Sequence, residues 1–235
     1  MPALTYHSGQ IAVQEEANTR ALADHLAGWV GPVAEFALGA DMFLFAAEGH
    51  DGALHFSVLA GPPPLVEVAG PDTLQLHLPP SSLPLPSGRV GGLAINLGLA
   101  RRARINGELA AVNGHLELRG DETFTLCRKY LAPSLSSGCA PRFGPTAREP
   151  LELDDPYLRT LVATAETTFL ASVSPDGRPD VAHRGGPAGF LELDPQTGCL
   201  RWPEFVGDGV FKSAGNVRTT GRMTLLVVDV ETGLD

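Results

Sequence analysis

Residues 169–187 read FLASVSPDGRPDVAHRGGP, and residues 43–62 read FLFAAEGHDGALHFSVLAGP. Both segments begin with Phe-Leu, carry Asp-Gly in the middle and end in Gly-Pro, and their lengths differ by one residue. Further on, Gly88-Arg89-Val90 matches Gly221-Arg222-Met223, and each is followed by an apolar run. These matches favour two tandem copies of one β-rich unit.

Short apolar runs separated by Gly, Pro and Asp-Gly turns predict a mainly β protein with a helix ahead of each sheet. The predicted helices span 12–30, ending at Gly31-Pro32, and a segment that opens at Asp155-Pro156. Asn113-Gly114 is a typical hairpin turn. The predicted strands are 42–48, 53–60, 64–69, 73–78, 89–97, 102–112, 115–126, 168–174, 179–184, 189–194, 199–203 and 222–230. Many short strands at this spacing favour small barrels.

The matches divide the chain into a first copy at 1–131, a Pro/Ser/Gly-rich linker at 132–150 and a second copy at 151–235. The first copy continues through two further strands after the matched run, whereas the second copy ends just beyond it. A barrel without its closing strands would expose a sheet edge. Three explanations are open: another subunit supplies the closing strands, the first copy supplies them, or the chain is truncated. We favour truncation.

Composition excludes several classes of function. The net charge of −10 argues against nucleic acid as the main partner, although a local pocket for one phosphate remains compatible with it. The three cysteines are widely spaced, and no Cys/His cluster has zinc spacing, so we predict a cytoplasmic protein without a structural metal. No basic-then-apolar leader and no membrane-length apolar run is present in the sequence.

The first candidate site is His183-Arg184-Gly185-Gly186, at the end of a predicted strand. Glycines allow a ligand to approach the backbone, and Arg184 offers a planar fork for a phosphate or a ring carbonyl. The matched residues 58–61 of the first copy are Val, Leu, Ala and Gly, which offer no such group. The alternative is a surface arginine beside a hairpin turn.

The second candidate is residues 202–216, where a short helix is predicted to begin near Gly209. A helix N-terminus binds anions, and Lys212 and Ser213 would add a charge and a hydroxyl group. The alternative is a connector helix with Asp208 as its N-cap and a solvated Lys212. Trp202 would stack on a ligand ring or fill a core.

The basic run Arg101-Arg102-Ala103-Arg104 is interpreted as a solvated strand edge that discourages aggregation. No catalytic acid or base can be named, and His183 is a weak candidate at best. The sequence contains neither a nucleophile elbow nor a P-loop.

Three segments of the second copy together resemble the pyridoxamine 5′-phosphate oxidase-like FMN-binding split-barrel family. They are 180–190 (DVAHRGGPAGF), 200–208 (LRWPEFVGD) and 211–223, which contains Phe-Lys-Ser, Asn216 and Gly-Arg-Met. The resemblance covers roughly residues 165–230, and the first copy resembles a degenerate version. The chain departs from the family's Pro-x-x-Pro-Gly-Asn loop at Val206 and Asp208.

The resemblance implies six-stranded antiparallel Greek-key barrels, with FMN bound between two barrels and usually in a homodimer. It implies that Arg184 contacts the flavin or its phosphate, that Lys212 and Ser213 bind the phosphate, and that Asn216 orders the loop. The full candidate set is His183, Arg184, Gly185, Trp202, Phe211, Lys212, Ser213 and Asn216. The function so implied is an FMN-dependent oxidoreductase acting on a small molecule. The alternative is a non-catalytic flavin-binding or dimerising module.

Overall fold

The computed structural model describes residues 4–25, 31–77, 85–126, 129–130 and 150–228. Apart from Pro150, the predicted linker lies outside the described residues. The ends of the strands predicted at 73–78 and 222–230 also lie outside them, as does the whole of the proline-containing segment 79–84.

The chain is mainly β, with antiparallel sheets and a few flanking helices, as the sequence predicts. The helices are α1 (Ser8–Glu16), α2 (Arg20–Asp24), α3 (Gly31–Leu38), α4 (Pro156–Thr164) and α5 (Lys212–Thr220). The strands are β1 (Met42–Glu48), β2 (Leu54–Ala60), β3 (Val66–Val68), β4 (Thr73–Leu76), β5 (Gly88–Asn96), β6 (Arg101–Val112), β7 (His115–Thr125), β8 (Thr167–Val173), β9 (Pro179–Gly185), β10 (Glu192–Leu193), β11 (Leu200–Arg201) and β12 (Met223–Val227).

Strands β1 to β7 form one sheet in the order β2-β1-β5-β6-β7-β4-β3. Alternate residues of a strand point to opposite faces, and both faces of β1 are covered. Phe43 and Phe45 pack into a core that all seven strands and α3 line. Met42, Leu44 and Ala46 face the other way. This explains why the apolar run of β1 is continuous rather than alternating.

The second face of β1 packs against a three-stranded sheet in the order β12-β8-β9. Phe169 and Val181 from this second sheet share one buried cluster with Leu44 and Leu93. The two halves of the chain are therefore joined by a common hydrophobic core. A glycine allows their close approach, because a Cβ at Gly91 of β5 would lie 2.6 Å from the backbone of β9.

Two sets of strands share their pairing and register. Strand β1 lies between β2 and β5, and β8 lies between β9 and β12. Leu44 pairs with Val58 and Leu93, whereas Phe169 pairs with His183 and Leu226. These pairs match at offsets of 125, 125 and 133. The sequence match of Phe43 with Phe169 is therefore one residue out of register, and Leu44 is the residue that takes the place of Phe169.

The helix predicted at 12–30 is wrong in its bounds. It begins earlier, because His7 and Gln10 form a capping box at the start of α1. It is interrupted at Asn18, whose φ of 55° is left-handed. Gly31-Pro32 does not end a helix but opens α3, where proline is tolerated in the first turn.

The N-terminal helix α1 lies against α5 rather than on the first sheet. Gly9 and Gly215 form the contact, where a Cβ on Gly215 would lie 2.6 Å from the backbone nitrogen of Gln10. Gln14 donates to the carbonyl of Val210 at 2.7 Å, and Thr19 donates to that of Gly209 at 2.8 Å. The N-terminus therefore holds the segment that carries the second candidate site.

Within the described ranges, no helix has both the length and the apolar character needed to cross a bilayer.

Candidate functional site

A cleft between the two halves brings most of the predicted site residues together. It has a volume of about 80 Å³ and is open to solvent. Six of the eight predicted residues line it, namely His183, Arg184, Gly185, Phe211, Lys212 and Ser213. The first half contributes Arg102, Arg104, Leu126, Lys129 and Tyr130. Arg184 and Lys212, the two cations predicted from the sequence, therefore line one cavity.

Arg184 is held in place by three hydrogen bonds. Its Nε donates to Glu204 at 2.8 Å, one Nη donates to Ser213 Oγ at 2.8 Å, and the other donates to the carbonyl of His183 at 3.0 Å. A guanidinium has five N–H donors, so two remain for a ligand. The side chain of Arg184 is 15% exposed and fixed by these contacts, which does not favour the alternative of a surface arginine beside a hairpin turn.

Lys212 is buried at the start of α5 and is not a solvated lysine. Its Nζ lies 2.8 Å from Glu122 Oε2, a residue of β7 in the first half. Glu122 also accepts from Asn106 at 2.9 Å, and Asn106 donates to Asp180 at 3.0 Å. This chain of polar contacts ties α5 to β6, β7 and β9 across the interface between the halves.

The N-terminus of α5 is not capped by Asp208, contrary to the alternative interpretation. The carboxylate of Asp208 accepts from Val210 N at 3.0 Å, before the helix begins. The N-cap residue is Phe211, which has a left-handed φ of 48° and provides no side-chain hydrogen bond. The first backbone N–H groups of α5 therefore lie beside the cleft without a side-chain cap, an arrangement that favours anions.

Arg102 is a cleft residue that the sequence analysis missed. It lies on β6, is 5% exposed, and donates through Nη1 to His183 Nδ1 and through Nη2 to the carbonyl of Lys129 at 2.7 Å. The run 101–104 is not a solvated edge, because β6 lies inside the sheet between β5 and β7. Arg104 is also buried, with its Nε 3.2 Å from Asp180 Oδ1. Their burial depends on partners about 80 residues away, which no local pattern reveals.

His183 is buried in the wall of the cleft. Burial, reinforced by the positive charges of Arg102 and Arg184, lowers the pKa of His183 well below its usual value, so the ring is neutral. Since Nδ1 accepts from Arg102, the proton lies on Nε2. Nε2 has no hydrogen-bond partner among the described residues. The ring therefore offers a donor and not a base.

Acidification is expected to destabilise the protein through His183. The unfolded histidine binds a proton below about pH 6.5 while the folded one does not, so the free energy of unfolding falls as the pH drops. Between about pH 7.5 and 5.5 the loss is on the order of 1 kcal/mol. Urea unfolding of the wild type and of His183→Gln at both pH values measures it. The same pH dependence in both proteins would contradict the assignment.

Three residues predicted to bind a cofactor have structural roles. Gly185 lines the cleft, but a Cβ there would overlap the carbonyl oxygen of Tyr130, so its bare Cα accommodates protein rather than ligand. Trp202 lies outside the cleft and donates to Glu204 at 2.9 Å. Asn216 is fully buried and donates to Ser172 at 3.0 Å, which ties α5 to β8. The positions of Trp202 and Asn216 do not support direct contact with a cofactor in the cleft.

An exposed aromatic pair stands at the rim of the cleft. The rings of Tyr130 and Phe205 are stacked, with centroids 5.1 Å apart and planes 20° apart, and each residue is 42% exposed. Tyr130 has a left-handed φ of 61°, which is unusual for a bulky residue. A planar group next to the cleft could stack on this pair.

The cleft is positively charged in an acidic protein. Its lining includes Arg102, Arg104, Lys129, Arg184 and Lys212 with the two acids Glu204 and Asp208. Glu122 and Asp180 pair with Lys212 and Arg104, so five cations stand against four acids. A recess with this excess of cations and an open helix N-terminus attracts anions. Among the described residues, no group of three or more His, Cys, Asp or Glu side chains is placed to hold a metal ion.

The chain matches no protein-family model, and comparisons with curated proteins and with solved structures found no match. Function is therefore inferred from the residues of the cleft.

Proposed function

We propose that the cleft binds the phosphate of FMN and that the protein is an FMN-dependent oxidoreductase of the pyridoxamine 5′-phosphate oxidase-like type. The observation that carries the proposal is the convergence of Arg184, Lys212 and Ser213 on one positively charged recess. Arg184 comes from the end of β9, and Lys212 and Ser213 come from the start of α5, the segments that the family resemblance points to. A phosphate monoester is an anion with three acceptor oxygens, which suits a net positive recess that offers N–H and hydroxyl donors.

The size of the cleft supports binding of the phosphate end only. About 80 Å³ is well below the roughly 300–1,000 Å³ of pockets that enclose a whole organic ligand. The ring system would lie at the open side, beside Tyr130 and Phe205. We propose that a second copy of the chain completes the site there, in a homodimer that functions in the cytoplasm.

Each residue of the cleft has its own role in the proposed binding of FMN. Arg184, Lys212 and Ser213 would hold the phosphate, while Glu204 and Glu122 keep the two cations in place. The Nε2–H group of His183 would act as a hydrogen-bond donor. FMN, when bound, supplies hydride transfer, and the protein supplies orientation and electrostatics.

We extend the proposal to the architecture, which would consist of two tandem split barrels formed by residues 1–131 and 151–235. The equal pairing of β2-β1-β5 and β9-β8-β12 supports it. The first unit would have lost its site, because Val58 and Leu59 stand where the second unit has His183 and Arg184.

A non-catalytic flavin-binding or dimerising module is the second candidate function. It is favoured by His183, because the lowered pKa of this cleft histidine makes it unsuited to act as a base near neutral pH. The two functions differ in the redox behaviour of bound flavin.

The test is a visible spectrum of the purified protein before and after addition of FMN. We expect a flavin band that NAD(P)H or dithionite bleaches and that air restores. Bound flavin that cannot be cycled would favour the module. A protein that never takes up FMN would contradict both flavin-binding functions.

A further inference from the structure

A second cavity lies outside the cationic cleft. It is an open groove of about 560 Å³ between β8, α5 and the segment that follows β11. Its lining is mainly apolar and consists of Leu170, Leu200, Trp202, Ala214 and Val217, with Arg201, Glu204 and Arg218 at its polar margin. This volume is in the range of sites that enclose small organic ligands.

The three charged residues at the margin differ in how closely each is paired with an opposite charge. Glu204 is neutralised, because its Oε1 accepts from both Arg184 and Trp202. Arg218 is paired with Glu16 through contacts of 2.6 and 2.7 Å. Arg201 lies opposite Glu192 in the β10–β11 pair and interacts electrostatically with the exposed Asp194, but among the described residues it forms no ion pair within 4 Å. Of the charged residues at the margin, Arg201 is therefore the least tightly paired.

The indole of Trp202 gives the groove a fixed flat wall. The hydrogen bond from its Nε1 to Glu204 sets the orientation of the ring. A planar ring stacks well on an indole and buries apolar area against Leu170 and Val217. A negative group on the same ligand would meet Arg201.

We propose that this groove binds a small ring-containing monoanion, such as an aromatic carboxylate or sulfonate, with Trp202 against the ring and Arg201 paired with the acid. The site is distinct from the cationic cleft and does not depend on flavin binding there. The two cavities share Glu204, so they are adjacent.

The test uses two fluorescent probes with similar ring systems, anilinonaphthalene sulfonate and its neutral analogue N-phenylnaphthylamine. We expect each probe to bind at one site per chain. Arg201→Ala should weaken the sulfonate about fivefold, the size of an exposed ion pair, and leave the neutral probe within about twofold. Arg178→Ala removes an arginine that does not line the groove and should change neither affinity.

Ala214→Trp fills the groove and should weaken both probes more than about tenfold while FMN uptake in the cleft is unchanged. Circular dichroism and thermal unfolding confirm that each variant is folded, and Arg201→Ala keeps the test decisive if Ala214→Trp does not fold. The proposal is overturned if Arg201→Ala weakens both probes equally or neither. It is also overturned if folded Ala214→Trp binds both probes normally, or if it converts a dimer into monomers, which would make the groove a protein interface.

Discussion

Replacing Glu122 by alanine is expected to lower the free energy of unfolding by about 3–5 kcal/mol, the cost of leaving a buried charge without its partner. The ammonium of Lys212 is 2.8 Å from this carboxylate, and the two side chains are 9% and 14% exposed. Asn106 would also lose an acceptor. Urea unfolding followed by circular dichroism measures the effect.

Glu16→Ala is the matched control, because it removes one carboxylate from an exposed pair with Arg218. Exposed ion pairs contribute about 1 kcal/mol or less to the free energy of unfolding. The double substitution Glu122→Met with Lys212→Met should recover most of the lost stability, because no buried charge is then unpaired. Equal losses in Glu122→Ala and Glu16→Ala would show that Lys212 and Glu122 are not paired in a buried setting.

Gly91→Ala is expected to destabilise the protein by about 3 kcal/mol through overpacking. Its Cβ would lie 2.6 Å from the backbone N and Cα of Asp180, and backbone atoms cannot rotate away as a side chain can. The strain falls where β5 of the first half meets β9 of the second. Thermal unfolding of the variant should show a clear drop in Tm.

Gly98→Ala serves as the control, since its Cβ would meet only the side-chain oxygen of Asn96, at 3.8 Å. If Gly91→Ala unfolds at the same temperature as Gly98→Ala, the two sheets do not pack as closely as described.

Much of the sheet could be predicted because its signals are local. The strand predicted at 42–48 coincides with β1, and the two-residue turn at Asn113-Gly114 joins β6 to β7, with positive φ at both residues. The predicted strand 189–194 shrinks to Glu192–Leu193, because the apolar residues Phe190 and Leu191 pack in a small core with α4 rather than in a sheet. Apolar character alone does not distinguish those two outcomes.

The candidate site was predictable where the second copy differs from the first. Arg184, Lys212 and Ser213 stand out by that contrast, and they do line one cleft. Arg102 and Glu122 were not predictable, because each acts on the site through a partner more than 80 residues away. A basic run on a solvated edge strand looks the same in sequence as one on a central strand. Only the structure shows that β6 lies inside the sheet.

The central claim is that the cleft recognises the phosphate of a flavin nucleotide, and the most direct measurement compares FMN with riboflavin, which lacks that phosphate. Flavin fluorescence titration should show FMN binding at least about tenfold more tightly than riboflavin, with Arg184→Ala removing most of the difference and leaving riboflavin nearly unchanged. Equal affinity for FMN and riboflavin, or an FMN affinity that does not respond to Arg184→Ala, would contradict the account.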